Sequence, residues 1–600
     1  MQNMTVAEFV ACFLAEKHTR EIFGISGAGN IRLLDAIQQR KNLRIVCQHH
    51  EQASVMSATT YHRLTRRPGV VTITAGPGAC NTITGIANAY LDSLPVIIIA
   101  GQEKSEFMDP ADRIRGKGVQ GLDMVSIVKP ITKYAACLRD PSLIRYHLEM
   151  AFKVAYSGRP GPVWLEIPQD IQSVRLDPLQ LVGIDTDTND DEINYDDAAK
   201  NCIELVKNSK RPLIWVGHGV RLAQCESEFK TLIEMFKIPI LTSWQAIDLI
   251  PDSHPLNFGR AGTYGQRAAN FILQNCDLLI ALGTRLAIPQ RGYADKEFAP
   301  KAKKIIVEID PLELKKFKMH IDLPILGDVG KFLKSMLKKS SEITKIAACT
   351  DWVKKCTDLK NRYPYVIEEH RKAEPGYVNS YIFIDKLSNF LRSDDIIVTD
   401  MGTSLTCTHQ TLRIKDGQRL MTSTGLGEMG FGLPGAIGAA LGAPHRRIIF
   451  VGTEGSLMMN LQEIQTVIHH KLPIHFFILN NDCYLTIKHT ERAVLDGRVV
   501  AATPETGVSF PNLINVAQAF GLDTVEINDE SEIDTKLSAI FQNNKFVFCN
   551  VKMSPEQLLG PKSALARRDD GSIYSPPLDD LYPFLNREDF AKNIQNLNEI

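Results

Sequence analysis

In the stretch 453–490, TEGSLMMNLQEIQTVIHHKLPIHFFILNNDCYLTIKHT, a carboxylate, an amide and a pair of small polar residues stand where two apolar segments end. The run Ile448-Ile449-Phe450-Val451 reads as a strand; a Gly-bearing turn follows, then a helical pattern from about Asn460 to His470. A second apolar strand runs from Ile474 to Leu479 and ends in Asn480-Asn481. Strand, turn, helix, strand in that order puts both strand ends on one edge of a parallel sheet. Gly455 and Ser456 offer backbone N–H groups of the kind that hold phosphate, while Glu454 and the Asn481 amide supply oxygens suited to a hard divalent cation. The chemistry implied is a metal-bridged diphosphate. Structural α/β units also place Gly and Asn at strand ends, so the spacing alone leaves the bland reading open.

Three further groups stand at strand ends. His49-His50-Glu51-Gln52 follows a strand and opens a helix; Gly76-Pro77-Gly78 with Asn81 follows the strand Val70 to Thr74; Gly402-Thr403-Ser404 follows another strand and has the small side chains that let backbone N–H groups approach a phosphate. A histidine or glutamate in such a place is more often a solvated surface group. Gln120, in Gly118-Val119-Gln120-Gly121, reads equally as a loop amide, and Met429, in the Gly-rich run 425–434, as core filling.

The elements that must position these residues fall into three α/β sets. Helix Val6 to Glu16, strand Ile22 to Ile25, helix Ile31 to Gln38 and strand Arg44 to Val46 begin an alternation that continues to about Ile171. It predicts a doubly wound parallel sheet, with Pro168 stopping the last strand, Val163 to Ile167. Residues Asp185 to Asp197 are acidic and nearly free of apolar side chains, and read as a linker. A second set has strands at Leu213 to Val216, Ile238 to Leu241, Leu278 to Leu282 and Ile305 to Ile309. After a basic helix at Lys331 to Lys339 and a connection to about Gly376, a third set runs from the helix Tyr381 to Leu391 and the strand Ile396 to Thr399 to the strand Phe546 to Val551. The expected division is 1–172, 173–340, 341–555 and a tail, 556–600, read as extended chain packed on the surface.

Six hundred residues, 44% hydrophobic, are too many for one core. Lys+Arg 68 against Asp+Glu 69 leaves a net charge of -1, which gives no reason to expect nucleic acid or an anionic membrane as partner. No apolar run approaches the roughly 18–20 residues that cross a bilayer, and the N-terminus lacks the basic start of a signal peptide. A cytoplasmic protein acting on a small molecule is expected. The 12 cysteines show no zinc-like spacing and read as free thiols.

Taken together, the motifs resemble the thiamine-diphosphate enzymes, and most closely the acetolactate synthase family, over residues 4 to 555. The stretch from Thr453 is similar to that family's Gly-Asp-Gly-Ser…Asn-Asn diphosphate motif, and RPGVVTITAGPGACNTITGIANAYLDSLPVIIIAGQ (67–102) to its pyrimidine-binding domain. The resemblance implies thiamine diphosphate and Mg2+ as cofactors. It makes Glu51 the glutamate that favours the imino form of the cofactor, which suits a carboxyl kept protonated by its pocket, and Gln120 an active-site glutamine. It assigns Gly27, Pro77, Asn81, Gly402, Thr403, Ser404, Gly455 and Ser456 to cofactor binding. Gly427 would receive the cofactor's amino group on its carbonyl, and Met429 would wedge between the two rings. Glu454, Asn481 and the main-chain carbonyl of Cys483 become the metal ligands. The implied reaction takes a 2-keto acid, pyruvate above all, releases carbon dioxide and joins the remaining two-carbon unit to a second carbonyl. The cofactor would lie between two copies of the chain in a homodimer or homotetramer.

Several positions depart from the family. Thr453-Glu454 replaces Gly-Asp, so the metal carboxylate reaches one methylene further and must fold back. Thr490 stands where acetolactate synthases carry an acceptor-pocket tryptophan, which opens the pocket to a bulkier partner; Gln290-Arg291-Gly292-Tyr293 and the segment 577–585 look more like relatives tied to unusual sugars. The middle set resembles a flavin-binding domain through Gly217, Gly219, Gly262, Gly265, Thr284, Arg285 and Asp310, but Ala287-Ile288 replaces an acidic pair, so FAD is a candidate second cofactor only. A keto-sugar carboligase, a non-ligating decarboxylase or oxidase, and a degenerate cofactor-binding subunit are the alternatives.

Overall fold

The computed structural model describes residues 3–108, 114–185, 193–344, 349–372, 374–543, 545–564, 566–567 and 573–599. Of the acidic linker read at 185–197, residues 186–192 lie outside the described residues. Three parallel sheets account for the alternation. The first holds β1 (Glu21–Gly24), β2 (Arg44–Cys47), β3 (Gly69–Ile73), β4 (Val96–Gln102), β5 (Tyr134–Cys137) and β6 (Val163–Pro168), in the order β2-β1-β3-β4-β6-β5. The second holds β7 (Pro212–Val216), β8 (Ile240–Thr242), β9 (Leu278–Leu282), β10 (Lys303–Glu308) and β11 (Leu323–Leu326), in the order β8-β7-β9-β10-β11. The third holds β12 (Ile396–Thr399), β13 (Arg419–Met421), β14 (Ile448–Thr453), β15 (Ile474–Asn480), β16 (Asp523–Ile527) and β17 (Val547–Lys552), in the order β13-β12-β14-β15-β17-β16. First and third sheets therefore share one topology.

The central strands of each sheet are buried on both faces, which is why they read as continuous apolar runs rather than alternating ones. In the third sheet Ile397, Ile449, Val451, Phe477 and Leu479 feed one core, while Val398, Ile448, Phe450, Phe476 and Ile478 feed the other. In each sheet the strand order reverses next to β1, β7 and β12, and the crevice at the strands' carboxyl ends there is where open α/β sheets take ligands.

Four helices carry or adjoin the candidate residues: α1 (Glu51–Thr65), α2 (Ile83–Leu91), α3 (Gly432–Gly442) and α4 (Leu485–Val494). Helix α3, GLPGAIGAALG, is made of small residues, and a Cβ on Gly438 would run into the Ser57 carbonyl oxygen of α1. Ser57 Oγ donates to the Pro434 carbonyl across the same contact at 2.8 Å. Small side chains thus bring the first and third sheets' helices to backbone contact.

Two expectations need correction. The tail is not simply extended chain, because Arg587–Asn598 is a helix whose Leu597 is buried and whose Asn593 donates to the Tyr363 hydroxyl at 2.6 Å. The connection after residue 340 carries the helix Thr350–Arg362, which buries Trp352, Cys356 and Leu359 against the second sheet. Among the described residues no helix is long and apolar enough to cross a membrane.

Candidate active site

The turn after β14 is a single helical turn, Glu454–Leu457, capped by Thr453 Oγ1, which accepts from the Ser456 N–H at 3.4 Å. Glu454 is fully buried, and its longer side chain folds back onto the end of β15. Its Oε1 accepts from the backbone N–H of Asn481 at 3.1 Å and of Cys483 at 3.2 Å. Its Oε2 is buried with no hydrogen-bond partner among the described residues. Burial pushes this carboxyl up to about 8, against the pull of those N–H groups. Asn481 Oδ1 faces the same turn and accepts from the Cys483 N–H at 3.2 Å and its thiol at 3.0 Å. An unpaired buried carboxylate oxygen beside an amide oxygen is costly unless a cation completes it. No group of three His, Cys, Asp or Glu that could hold a metal ion occurs among the described residues, so any ion here would rest on a carboxylate and neutral oxygens.

After β12, Gly402 takes φ +92, and a Cβ built there meets nothing within 4 Å, so open space lies against this backbone. Thr403 and Ser404 begin the next helix; Ser404 Oγ bonds back to the Asp400 carbonyl, which leaves the backbone N–H groups as what this turn can offer an anion. Ser456 Oγ donates to the Met401 carbonyl at 3.1 Å, so the turns after β12 and β14 are tied together. The segment bearing Gly427 (φ +74) and Met429 arches over them: a Cβ on Gly427 would sit 2.6 Å from Met401 Cε, and one on Gly455 would sit 3.4 Å from Met429 Cε. Gly402, Thr403, Ser404, Gly427, Met429, Glu454, Gly455, Ser456, Asn481 and Cys483 are thus assembled at one sheet edge.

On the first sheet, Glu51 begins α1 and is only 8% exposed. Asn81 Nδ2 donates to its Oε2 at 2.9 Å, and a Cβ on Gly78 would come within 2.9 Å of its Oε1. Gly27 packs on Thr74, just ahead of Pro77, with room for no side chain. Gln120 lies further out, its backbone N–H held by Glu103 Oε1 at 3.0 Å and its side chain in an exposed loop against Gly76. The two sheet edges are joined beside Glu51: Gln52 Nε2 donates to Asn460 Oδ1 at 2.9 Å, and Asn460 Nδ2 donates to the Gly430 carbonyl at 2.7 Å.

This geometry agrees with the comparisons. Residues 4–127, 199–336 and 400–551 match, in turn, the thiamine pyrophosphate enzyme N-terminal TPP binding domain, central domain and C-terminal TPP binding domain. The chain is 32% identical over 565 residues to the acetolactate synthase isozyme 1 large subunit of Escherichia coli (strain K12), covering 93% of this chain and 96% of that one. It is 32% identical over 529 residues to the acetolactate synthase large subunit of Parasynechococcus marenigrum (87% and 83% covered) and 31% over 541 to that of Corynebacterium glutamicum (89% and 84%). The chain belongs to the thiamine-diphosphate enzymes of the acetolactate synthase type.

Within this thiamine-diphosphate enzyme, two residues that the motifs do not single out brace the site. Asp400, buried at the end of β12, accepts from the N–H groups of Met401, Gly430 and Gly432 and so clamps the Gly-rich segment; burial raises its carboxyl to about 6. Glu463 Oε1 accepts from the N–H groups of His49 and His50 at 2.9 and 3.0 Å, fixing the turn that precedes Glu51. An acidic residue directly after a strand is the only sequence signal for Asp400; Glu463 gives none, since His49 and His50 lie more than four hundred residues away.

The second sheet has its own cavity, of about 430 Å³, at the β7/β9 crevice. Gly219, Thr284 and Arg285 line it, whereas Gly217 packs behind on Gly283, Gly262 and Gly265 lie in a neighbouring loop, and Asp310 is held by Arg159 Nη1 at 3.0 Å. His218 Nε2 is buried there without a partner among the described residues, and burial holds the ring well below the usual imidazole range, hence neutral.

Proposed function

We propose that this enzyme is a thiamine-diphosphate and Mg2+-dependent 2-keto acid decarboxylase and carboligase, which transfers an acetyl unit from pyruvate to a keto acid or a bulkier carbonyl acceptor such as a keto sugar. The observation that carries the reading is the unpartnered Oε2 of buried Glu454 beside Asn481. Glu454 Oε2, Asn481 Oδ1 and the Cys483 carbonyl would hold Mg2+, and the backbone N–H groups after β12 and β14 would hold the diphosphate. Bound there, thiamine diphosphate supplies the electron sink that lets a 2-keto acid lose carbon dioxide. Glu51 would hold and release a proton at Oε1, since Asn81 occupies Oε2. Met429 would press an apolar face on the cofactor, the Gly427 carbonyl would accept its amino group, and Gln120 would orient the reacting carbonyl.

Thr490, exposed on α4 with its hydroxyl bonded to the Thr486 carbonyl, puts no large ring on the acceptor side, which favours an acceptor larger than pyruvate. A homodimer or homotetramer, with the cofactor between two copies of the chain, belongs to the same reading. The second cavity suits a dinucleotide such as FAD. It lies at a switch point; Arg285 on its wall suits a pyrophosphate, Glu308 suits ribose hydroxyls, and His218 Nε2 is buried there without a partner among the described residues.

The test supplies purified protein with thiamine diphosphate, Mg2+ and labelled pyruvate against keto-acid and keto-sugar acceptors, with products identified by mass spectrometry. A ligated, labelled product is expected; acetaldehyde or acetate alone would remove the carboligase reading. Glu51→Gln should lower turnover by roughly 100-fold or more while cofactor binding, followed calorimetrically, stays within a few-fold.

A further inference from the structure

All three sheets meet at Asp92, just after α2. Its Oδ1 accepts from the Gly425 N–H at 2.7 Å and from Gln245 Nε2 at 2.5 Å, and Gln245 Nε2 also reaches Thr424 Oγ1 at 2.7 Å. Arg63 Nη2 donates to Asp92 Oδ2 at 2.8 Å, and its Nη1 donates to the Thr422 carbonyl at 2.9 Å. Both charged side chains are buried, at 3% and 1% exposure, so each depends on the other. Gly425 has no room to move toward α2, because a Cβ there would lie 2.5 Å from Asp92 Oδ1 and 2.8 Å from the Leu91 carbonyl carbon. Residues 422–425 are therefore pinned to the first and second sheets immediately before the chain reaches Gly427 and Met429. Leu91, Asp92, Ser93, Gln245 and Thr424, the residues of this knot and their neighbours, also form a wall of the 430 Å³ cavity, and His218 Nδ1 lies 3.3 Å from the Gln245 carbonyl.

We propose that Asp92 and Gln245 are positioning residues that couple the cavity to the cofactor site, so that a dinucleotide in the cavity and thiamine diphosphate at the third sheet bind cooperatively. The inference rests on the dinucleotide reading of the cavity. Filling it replaces water against Asp92, Gln245 and Thr424 with ligand, which strengthens their mutual hydrogen bonds and narrows the positions open to the Gly425–Met429 segment. A cofactor that needs that segment in one arrangement then binds more tightly, and by linkage tightens the dinucleotide by the same factor. Couplings of this kind run from roughly 5- to 150-fold, and one hydrogen-bonded knot falls toward the lower end, about tenfold.

The experiment measures the dissociation constant of thiamine diphosphate with Mg2+ by calorimetry, with and without saturating FAD, in the full-length protein and in Gln245→Met. FAD binding is followed separately by flavin fluorescence. In the unaltered protein FAD should tighten thiamine diphosphate about tenfold; in Gln245→Met, FAD should still bind and the factor should fall below about twofold. Should Gln245→Met not fold, Thr424→Val, which removes only the hydroxyl Gln245 grips, carries the same comparison. FAD uptake with no change in the thiamine diphosphate constant, or a factor that survives both substitutions, overturns the coupling alone. No FAD uptake at all overturns the dinucleotide reading and the coupling with it.

Discussion

Glu454 is a liability to the fold until a cation meets it. Its carboxyl is wholly buried, with one oxygen bonded to two backbone N–H groups and the other to nothing among the described residues. Glu454→Gln keeps the shape and removes the buried acid, so the cofactor-free protein should melt at the same or a higher temperature. Mg2+-dependent thiamine diphosphate affinity should fall by more than ~100-fold, since even outer partners of a metal site are worth 10- to 100-fold. Calorimetry and a thermal melt on one sample check both halves. Glu428, next to Met429, poses a different case. Ser423 Oγ donates to its Oε2 at 2.6 Å while Oε1 is buried without a partner among the described residues, and burial with the nearby Asp92 and Asp400 carboxylates raises it to about 8. A carboxyl that binds its proton more tightly folded than unfolded contributes stability in full below its unfolded value of 4.5 and loses it as pH rises through about 8. The cofactor-free protein should therefore lose stability from pH 5 to 9, and Glu428→Gln should flatten part of that slope in melts across the range. Neither Glu428 nor Asp400 was legible as a brace or a titrating group, because what defines them is burial and contact across the fold. Glu454 and Asn481 were legible, because a strand end fixes where they stand.

The elements place the chemistry more firmly than any one residue does. The order β2-β1-β3-β4-β6-β5 recurs in the third sheet as β13-β12-β14-β15-β17-β16, and in each the candidate residues lie in the segments that follow the strands' carboxyl ends around the reversal at β1 or β12. Apolar runs and strand-end glycines made this α/β alternation readable along the chain, while strand order and the repeat of topology come only from pairing between distant segments. The helix expected from about Asn460 begins as the 3-10 turn Leu461–Glu463 and becomes α-helical at Ile464–His470. Helix α3 shows what small residues are for: Gly438 presses on the backbone of Ser57, whereas a Cβ on Gly442 would meet only the side chains of Thr65, Leu64 and Tyr61 at 3.3 Å or more. Gly438→Ala should therefore cost about 1–3 kcal/mol through overpacking and lower cofactor affinity by separating α1 from α3, while Gly442→Ala should be near neutral or stabilising. Denaturant unfolding of the pair distinguishes a packing contact from a mere helix-propensity effect, since propensity alone favours alanine at both positions.

At the scale of the whole molecule the last helix closes the second sheet's core. Phe590, Ile594 and Leu597 are the only large apolar side chains between residues 587 and 598, too sparse a stripe to announce a helix, so the sequence reads there as tail. The fold supplies what the stripe lacks. Phe590 packs its ring, tilted, 5.4 Å from Phe271, Arg362 Nη1 donates to Asn593 Oδ1 at 2.6 Å, and the chain leading in is fixed by Arg267, whose Nη1 donates to the Leu581 carbonyl at 3.1 Å, and by Asn270, whose Nδ2 donates to the Leu578 carbonyl at 2.6 Å. Removing residues 587–600 would uncover Phe271 and Tyr363 and forfeit burial of three apolar side chains, each worth about 1.5–3 kcal/mol when fully buried and less here, where two are only partly covered. The shortened protein should melt several degrees lower, and the loss should begin in the second sheet. Hydrogen exchange followed peptide by peptide should show protection falling first at β7 and β9 and later at β12 and β14. Equal loss in all three sheets would mean that the molecule unfolds as one unit, and an unchanged melt would mean that the helix rests on the core without holding it.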